Sequence, residues 1–239
     1  LDEKLELLSD AGIDVALVVE FTLELARQDA ESFLAWLGVG RDSHLVLGYD
    51  FHMGRGRECD LAVLSAVGSE AGFGLDIVPP VLHECRPVSS SWIRDAVEQG
   101  DMEEAAAMLG RPYSIAGSVV TGASVGQRLG CPTANLELPE GKLLPSDGVY
   151  FATVESLGGR PGLLYVGSRP TFDGSERAAE VHVIDFQGDL YGSRLVAAVR
   201  HRIRPDRRFA NAEELRSQMD QDLMAARRIA GGENSSRAD

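Results

Sequence analysis

Residues Gly117 to Asn135 read GSVVTGASVGQRLGCPTAN, and the reading of this stretch decides what the second half of the chain is. Gly117, Gly122, Gly126 and Gly130 recur through it, a β-branched run lies at Val119 to Thr121, and Pro132-Thr133-Ala134-Asn135 closes it. Glycine lacks the Cβ that holds a ligand off the main chain, so several backbone N–H groups can converge on a phosphate. Glycine serves hairpin turns equally well, and composition alone leaves both readings open. No Gly-Lys-Ser/Thr follows, so this is not a Walker A loop, and no clean GxGxxG stands between a strand and a helix. In place of the lysine stand Thr133 and Asn135. Residues i and i+2 of an extended segment project to the same side, and both side chains offer the hard oxygen that Mg²⁺ prefers, so the pair could hold a metal on ATP phosphates.

Outward from this stretch the pattern is β. Short apolar runs at Ile115 to Thr121, Gly148 to Glu155, Leu163 to Val166, Glu180 to Phe186 and Arg194 to Arg200 alternate with Gly/Pro turns. Five or six such strands followed by one helix predict a closed antiparallel barrel. The helix begins at Asn211, which forms a variant capping box with Glu214, and its apolar face carries Leu215, Met219 and Leu223. Gly231-Gly232 is expected to stop it, leaving residues 233–239 as a polar tail. At the head of EVHVIDF, Glu180 and His182 fall on one strand face. A carboxylate in a barrel interior is costly unless it is employed or paired, which makes Glu180 a candidate proton acceptor, against a solvated strand end as the plainer alternative.

Upstream the periods differ. Leu1, Leu5 and Leu8 share a helical face, Ile13 to Phe21 is a nearly continuous apolar run that predicts a buried strand, and helical patterns return at 29–37 and 61–71 between strand-like runs at 44–47 and 75–78. Alternating helices and short apolar strands predict a parallel sheet with covered faces. A hydroxyl cluster, Ser89-Ser90-Ser91, precedes a helical stretch from Trp92 to Glu98 that holds Arg94. Helix N-termini can bind phosphate, and serines there are also ordinary caps. Asp101 to Leu109 reads as a last short helix closed by Gly110, which divides the chain into 1–110, 111–232 and the tail.

Charge supports that division. Of the 37 acidic and 23 basic residues, 21 acidic and 7 basic lie before Arg111, and the remainder balances at 16 each. A net charge of −14 argues against a nucleic-acid partner, whose affinity depends on basic side chains. Cys59, Cys85 and Cys131 are too far apart for a CxxC motif and read as reduced thiols of a cytoplasmic protein. No apolar run reaches the roughly 18 residues of a membrane span, so no membrane association is expected.

The blocks GxVxxGxxxGxxLGxPTAN at Gly117 to Asn135, LPxxGVY at Leu144 to Tyr150, GxRPTF at Gly167 to Phe172, EVHxxDF at Glu180 to Phe186 and DLYG at Asp189 to Gly192 resemble the riboflavin kinase domain of the bacterial bifunctional riboflavin kinase and FMN adenylyltransferase family, the FAD synthetases. The resemblance implies an α/β, Rossmann-like nucleotidyltransferase domain, here partial, followed by an antiparallel β-barrel riboflavin kinase domain with a C-terminal helix. It implies ATP and Mg²⁺ as cofactors, riboflavin, FMN and FAD as substrates and products, and flavin and nucleotide as the small-molecule partners. It makes Glu180 the base on the flavin 5′-hydroxyl. Gly117, Gly122, Gly126, Gly130, Thr133 and Asn135 become the ATP and phosphate loop, with Thr133 and Asn135 on the metal. Arg204, in an RPxxxF block ending at Phe209, lies by the flavin; Cys131 replaces the usual Phe or Ile.

Upstream, VSSSWIR at Val88 to Arg94 resembles the SSTxIR phosphate block of the adenylyltransferase domain, with Ser91 for threonine, and GYDFHMG at Gly48 to Gly54 resembles its GxDFxFG block, placing Asp50 on the flavin side. That domain opens with a GxFDGxHxGH loop, and no HxGH pair occurs in these 239 residues, so a complete protein is expected to carry it upstream of Leu1. The resemblance thus implies riboflavin phosphorylation here and FMN adenylylation in the complete protein. A non-catalytic flavin-binding module on the same barrel is the competing reading. A base and a pair of metal ligands together argue against it.

Overall fold

A computed structural model describes residues 1–121, 131–171 and 174–236 and resolves the chain into two bodies, Leu1–Pro87 and Val88–Asp239. Gly122, Gly126 and Gly130 lie outside the described residues.

The first body contains α1 (Asp2–Asp10), α2 (Ala30–Trp36), β1 (His44–Gly48), α3 (Leu61–Ala71), β2 (Gly74–Val78) and a short hairpin of β3 (Leu82–His83) and β4 (Arg86–Pro87). Strands β1 and β2 pair in parallel, His44 opposite Gly74, with α3 as the crossover. Helix α3 starts where the Asp60 carboxylate accepts the N–H groups of Ala62 and Val63, at 2.9 and 3.0 Å, satisfying donors that the first turn leaves open. Leu34, Leu64 and Phe73 form the centre of its core. The run from Ile13 to Phe21, expected as a buried strand, forms none, and Val15 and Phe21 are 83% and 81% exposed. Apolar character favours a strand, but only hydrogen bonds to a neighbour make one, and among the described strands β1 and β2 pair with each other.

The second body contains α4 (Ser90–Gln99), α5 (Met102–Leu109), six strands and α6 (Ala212–Ser236). The strands are β5 (Tyr113–Val120), β6 (Ala134–Glu137), β7 (Gly148–Val154), β8 (Arg160–Thr171), β9 (Gly174–Val183) and β10 (Arg194–Pro205). They close into an antiparallel barrel in the order β10-β5-β6-β9-β8-β7, so no edge is left open. Its interior is filled from every strand, by side chains that include Ile115, Leu136, Val154, Leu164, Val181 and Leu195. Val97, Met102 and Ala105 of α4 and α5 join the same core, which is why this body begins at Val88 although charge and residue pattern change near 110. Strand β6 escaped the pattern because it holds four residues, of which Ala134 and Asn135 finish the Pro-Thr-Ala-Asn block.

Alternation gives the barrel a second apolar face. Val149, Phe151, Leu163 and Ile184 project outward and are covered by Leu223, Ala226, Ile229 and Ala230 of α6. The helix starts as expected: Asn211 Oδ1 accepts the Glu214 N–H at 2.9 Å, and Glu214 Oε2 accepts the Ala210 N–H at 3.1 Å. It does not stop at Gly231-Gly232 but runs to Ser236. A glycine ends a helix by taking a left-handed φ, and neither of these two is among the residues with positive φ. Among the described residues no helix is long and apolar enough to cross a membrane.

Gly117 lies within β5, opposite Leu195 of β10, and a Cβ placed on it would stand 2.5 Å from the Glu137 carbonyl oxygen of β6. The neighbouring backbone cannot retreat as a flexible side chain would. Gly117→Ala is therefore expected to destabilise the barrel by ~1–3 kcal/mol, the usual range for overpacking. An unchanged urea midpoint would show that the two strands separate without penalty.

Candidate functional site

Strand β9 sorts its residues between two environments. Ala179, Val181 and Val183 point into the barrel core, so Glu180 and His182 must point outward, on the side that α6 covers. The expectation of a carboxylate in the barrel interior is corrected by this alternation: Glu180 escapes the interior and lines a cavity between the outer wall and the helix. The register places Asn135 of β6, Glu180 of β9 and Tyr165 of β8 directly opposite one another, in one row across three strands. Thr133, two residues before Asn135, donates its hydroxyl proton to Glu180 Oε2 at 2.9 Å. His182 Nδ1 donates to the Pro132 carbonyl at 2.8 Å.

The outer cavity holds about 340 Å³. Thr133, Tyr165, Glu180 and His182 line its barrel side, Leu215, Met219 and Asp222 its helix side, and Arg204, Asp206 and Phe209 the end where β10 leaves the barrel. A second cavity of about 180 Å³ lies on the interior side of the same strands, against Val119, Ala134, Val181 and Val183, and is lined also by Phe186, Leu190 and Tyr191. Thr133 borders both cavities. Val119 and Pro132, which flank Gly122 to Gly130 in the sequence, border the second.

Arg204 reaches the outer cavity in a fixed pose. Its Nε lies 3.0 Å from each Asp222 oxygen and its Nη2 2.9 Å from Oδ2, and the guanidinium stacks 5.7 Å from the centre of the Phe209 ring. Asp222 is 3% exposed and also accepts from Gln218 at 2.8 Å. A forked donor facing a carboxylate is the strong form of this contact, and it ties β10 to α6. Sequence reasoning passed over Asp222. The signal was there, since it lies seven residues after Leu215 on the apolar face of a helix, where an acid needs a buried partner.

Tyr165 was missed as well. Gly167, two residues on and on the same strand face, leaves the space that the phenol fills, because a Cβ there would collide with the Tyr165 hydroxyl. Burial, with the charges of Asp206, Asp147 and Glu180 behind it, pushes the phenol up to about 12, so it stays a proton donor at neutral pH. Burial, helped by Asp220 and Asp222, likewise pushes the Cys131 thiol up to about 11. Cys131 is thus a neutral piece of wall rather than a nucleophile.

The donor set fits a hard divalent cation. Thr133 spends its single proton on Glu180 and keeps its lone pairs, and the nearly buried Asn135 adds a carboxamide in the same row. Among the described residues no cluster of three or more His, Cys, Asp or Glu side chains forms a separate metal site. At the start of α4, Ser89 is an N-cap, accepting the Trp92 N–H at 3.3 Å, and Arg94 donates to Ser91 at 3.2 Å. Asp50 follows β1 in the other body, where its carbonyl oxygen lies 2.9 Å from His52 Nδ1.

The six-stranded barrel carries a hydroxyl and a carboxylate bonded to each other where two cavities meet, and residues 109–230 match the family model described as riboflavin kinase, which makes this a phosphotransferase of the flavokinase class. Residues 1–92 match that of FAD synthetase. The bifunctional riboflavin kinase/FMN adenylyltransferase of Escherichia coli strain K12 is 36% identical over 235 residues, covering 97% of this chain and 75% of that protein. The protein of the same name from Bacillus subtilis strain 168 is 31% identical over 232 residues, covering 95% and 73%. A solved structure titled macrolide-efflux protein from Streptococcus pneumoniae superposes with a TM-score of 0.84 at 32% identity, over 95% of this chain and 74% of that one. The chain belongs to the bifunctional riboflavin kinase/FMN adenylyltransferase family.

Asp222→Asn keeps the shape of the side chain and removes the charge that Arg204 faces. Breaking a buried pair from one side costs ~3–5 kcal/mol, and a value near ~3 is expected here because the arginine keeps a cavity beside it. A urea melt measures it. A loss below about 1 kcal/mol, the worth of an exposed pair, would mean that the contact does not hold α6 to the barrel.

Proposed function

We propose that the second body transfers the γ-phosphoryl group of ATP to the 5′-hydroxyl of riboflavin, giving FMN, and that FMN adenylylation to FAD belongs to the complete protein through its FAD synthetase half. The observation that carries the kinase reading is the Thr133 hydroxyl held 2.9 Å from the Glu180 carboxylate at the seam of the two cavities. Phosphoryl transfer asks the protein mainly for positioning and charge neutralisation, so a seam that receives two substrates from two sides suits it.

The outer cavity suits the flavin. Its apolar walls from Val149, Leu163, Leu215 and Met219, with the Phe209 ring and the fixed Arg204 plane at one end, match a flat aromatic ligand. The inner cavity suits the nucleotide, because Val119 and Pro132, on either side of Gly122 to Gly130 in the sequence, border it and backbone N–H groups of a glycine-rich segment can cradle phosphates. In this arrangement the riboflavin 5′-oxygen attacks the γ-phosphorus, the bond to the β–γ bridging oxygen breaks, ADP leaves, and Glu180 accepts the hydroxyl proton. Thr133 and Asn135 would hold Mg²⁺, which when bound neutralises charge on the phosphates. For the adenylyl transfer, the resemblance assigns Ser89, Ser90, Ser91 and Arg94 to phosphate and Asp50 to the flavin side.

Glu180→Gln keeps size and polarity and removes basicity. The expected result is a turnover lower by ~10² to 10⁴, the usual worth of a general base, with riboflavin binding and the thermal melt little changed. FMN formation near the wild-type rate would refute the assignment of the base.

Thr133→Ala and Asn135→Ala are each expected to shift the Mg²⁺ titration of activity to higher concentration without lowering the melting temperature. Titrations that superimpose on wild type in both variants would remove these two residues from the metal site.

A further inference from the structure

The interactions around Thr133 leave one side chain without a role in the reaction as described. His182 lines the outer cavity, yet its Nδ1 points away to the Pro132 carbonyl, 50 residues away in sequence, at 2.8 Å. A carbonyl only accepts, so Nδ1 carries the proton whether the ring is neutral or charged. Residues Cys131 to Thr133 belong to no strand and directly precede β6. Two side chains of β9, two residues apart on one face, take hold of this short segment: Glu180 through the Thr133 hydroxyl and His182 through the Pro132 carbonyl. Fixing that carbonyl fixes the plane of the Pro132–Thr133 peptide, because the peptide unit is rigid. The plane in turn sets where the Thr133 Cα, and therefore its hydroxyl, stands relative to Glu180.

Resting on the kinase reading, we propose that His182 is a positioning residue for phosphoryl transfer: its Nδ1–H holds the Pro132 carbonyl and so places Thr133 against Glu180. It exchanges no proton with substrate. The bond is made by a ring nitrogen next to Cγ, which gives the proposal a specific chemical signature. The side-chain amide of asparagine puts an N–H close to that position. Glutamine puts it one methylene too far, and leucine has none.

The test is steady-state FMN formation from riboflavin and Mg·ATP by the wild-type chain and by His182→Asn, His182→Gln and His182→Leu, with thermal melts and riboflavin titrations alongside. The expected result is kcat within about threefold of wild type for asparagine and lower by ~10- to 100-fold for glutamine and leucine, since a displacement of about 1 Å at a reacting group can cost up to about 100-fold. The riboflavin KM should move far less than kcat, and the pH profile of the asparagine variant should run parallel to wild type. Should the leucine variant unfold, the glutamine variant carries the comparison by itself. Equal activity in the asparagine and glutamine variants, at either a high or a low level, overturns the proposal, as does a pH profile that loses a limb in the asparagine variant. A wild-type chain that makes no FMN is a different failure: it overturns the kinase reading on which the proposal rests.

Discussion

Closing six strands into a barrel gives each strand two faces with different fates, and the candidate site depends on that division. Inward residues must be small or branched apolar groups that fill the interior, as Ala179, Val181 and Val183 do on β9. Outward residues are released from that demand. On β9 the released positions are Glu180 and His182, and the opposed positions on β6 and β8 are Asn135 and Tyr165. A polar row thus forms on the outside of an apolar barrel without these side chains entering the core. The same period also separates the cavities: the one facing α6 meets the outward residues, the other meets the inward ones, and Thr133, outside the strand, borders both.

The outer wall becomes a site only when something covers it. Helix α6 does so through Leu223, Ala226 and Ile229, which pack on the barrel beyond the cavity, and through the Arg204–Asp222 pair beside it. Burying two charges is expensive, and such a pair adds little net stability over an apolar contact of the same shape. What it adds is geometry. The guanidinium plane is held by Asp222 on its edge and Phe209 against its face, so the cavity meets a rigid, charged surface rather than a mobile side chain. Cys131 and Tyr165, both pushed up by burial, complete the wall as neutral groups.

Residues within the sequence blocks also serve packing. Gly117 is required by the approach of β6, and Tyr150 is a buried anchor whose hydroxyl donates to the Ser146 carbonyl at 2.6 Å. Arg177 clasps the turn before β7, reaching Asp147 Oδ1 at 2.7 Å and the carbonyls of Leu144 and Pro145. Such residues support the site by holding the strands and turns that carry it.

By itself the sequence determined the elements whose signals are local: the helical period of α3, the capped start of α6, the strand periods after Tyr113, and the spacing of Thr133 and Asn135. These depend on neighbours one to four residues away, which sequence displays directly. It also set Glu180 and His182 on one face of a strand. Only the tertiary structure decided which face that was, because inside and outside are defined by closure of the barrel and not by alternation. It decided likewise that Ile13 to Phe21 forms no strand, that Gly231 and Gly232 remain helical, and that Arg204 is spoken for by Asp222, 18 residues away. Each of these outcomes depends on a hydrogen-bond or packing partner distant in sequence, and no local pattern names that partner.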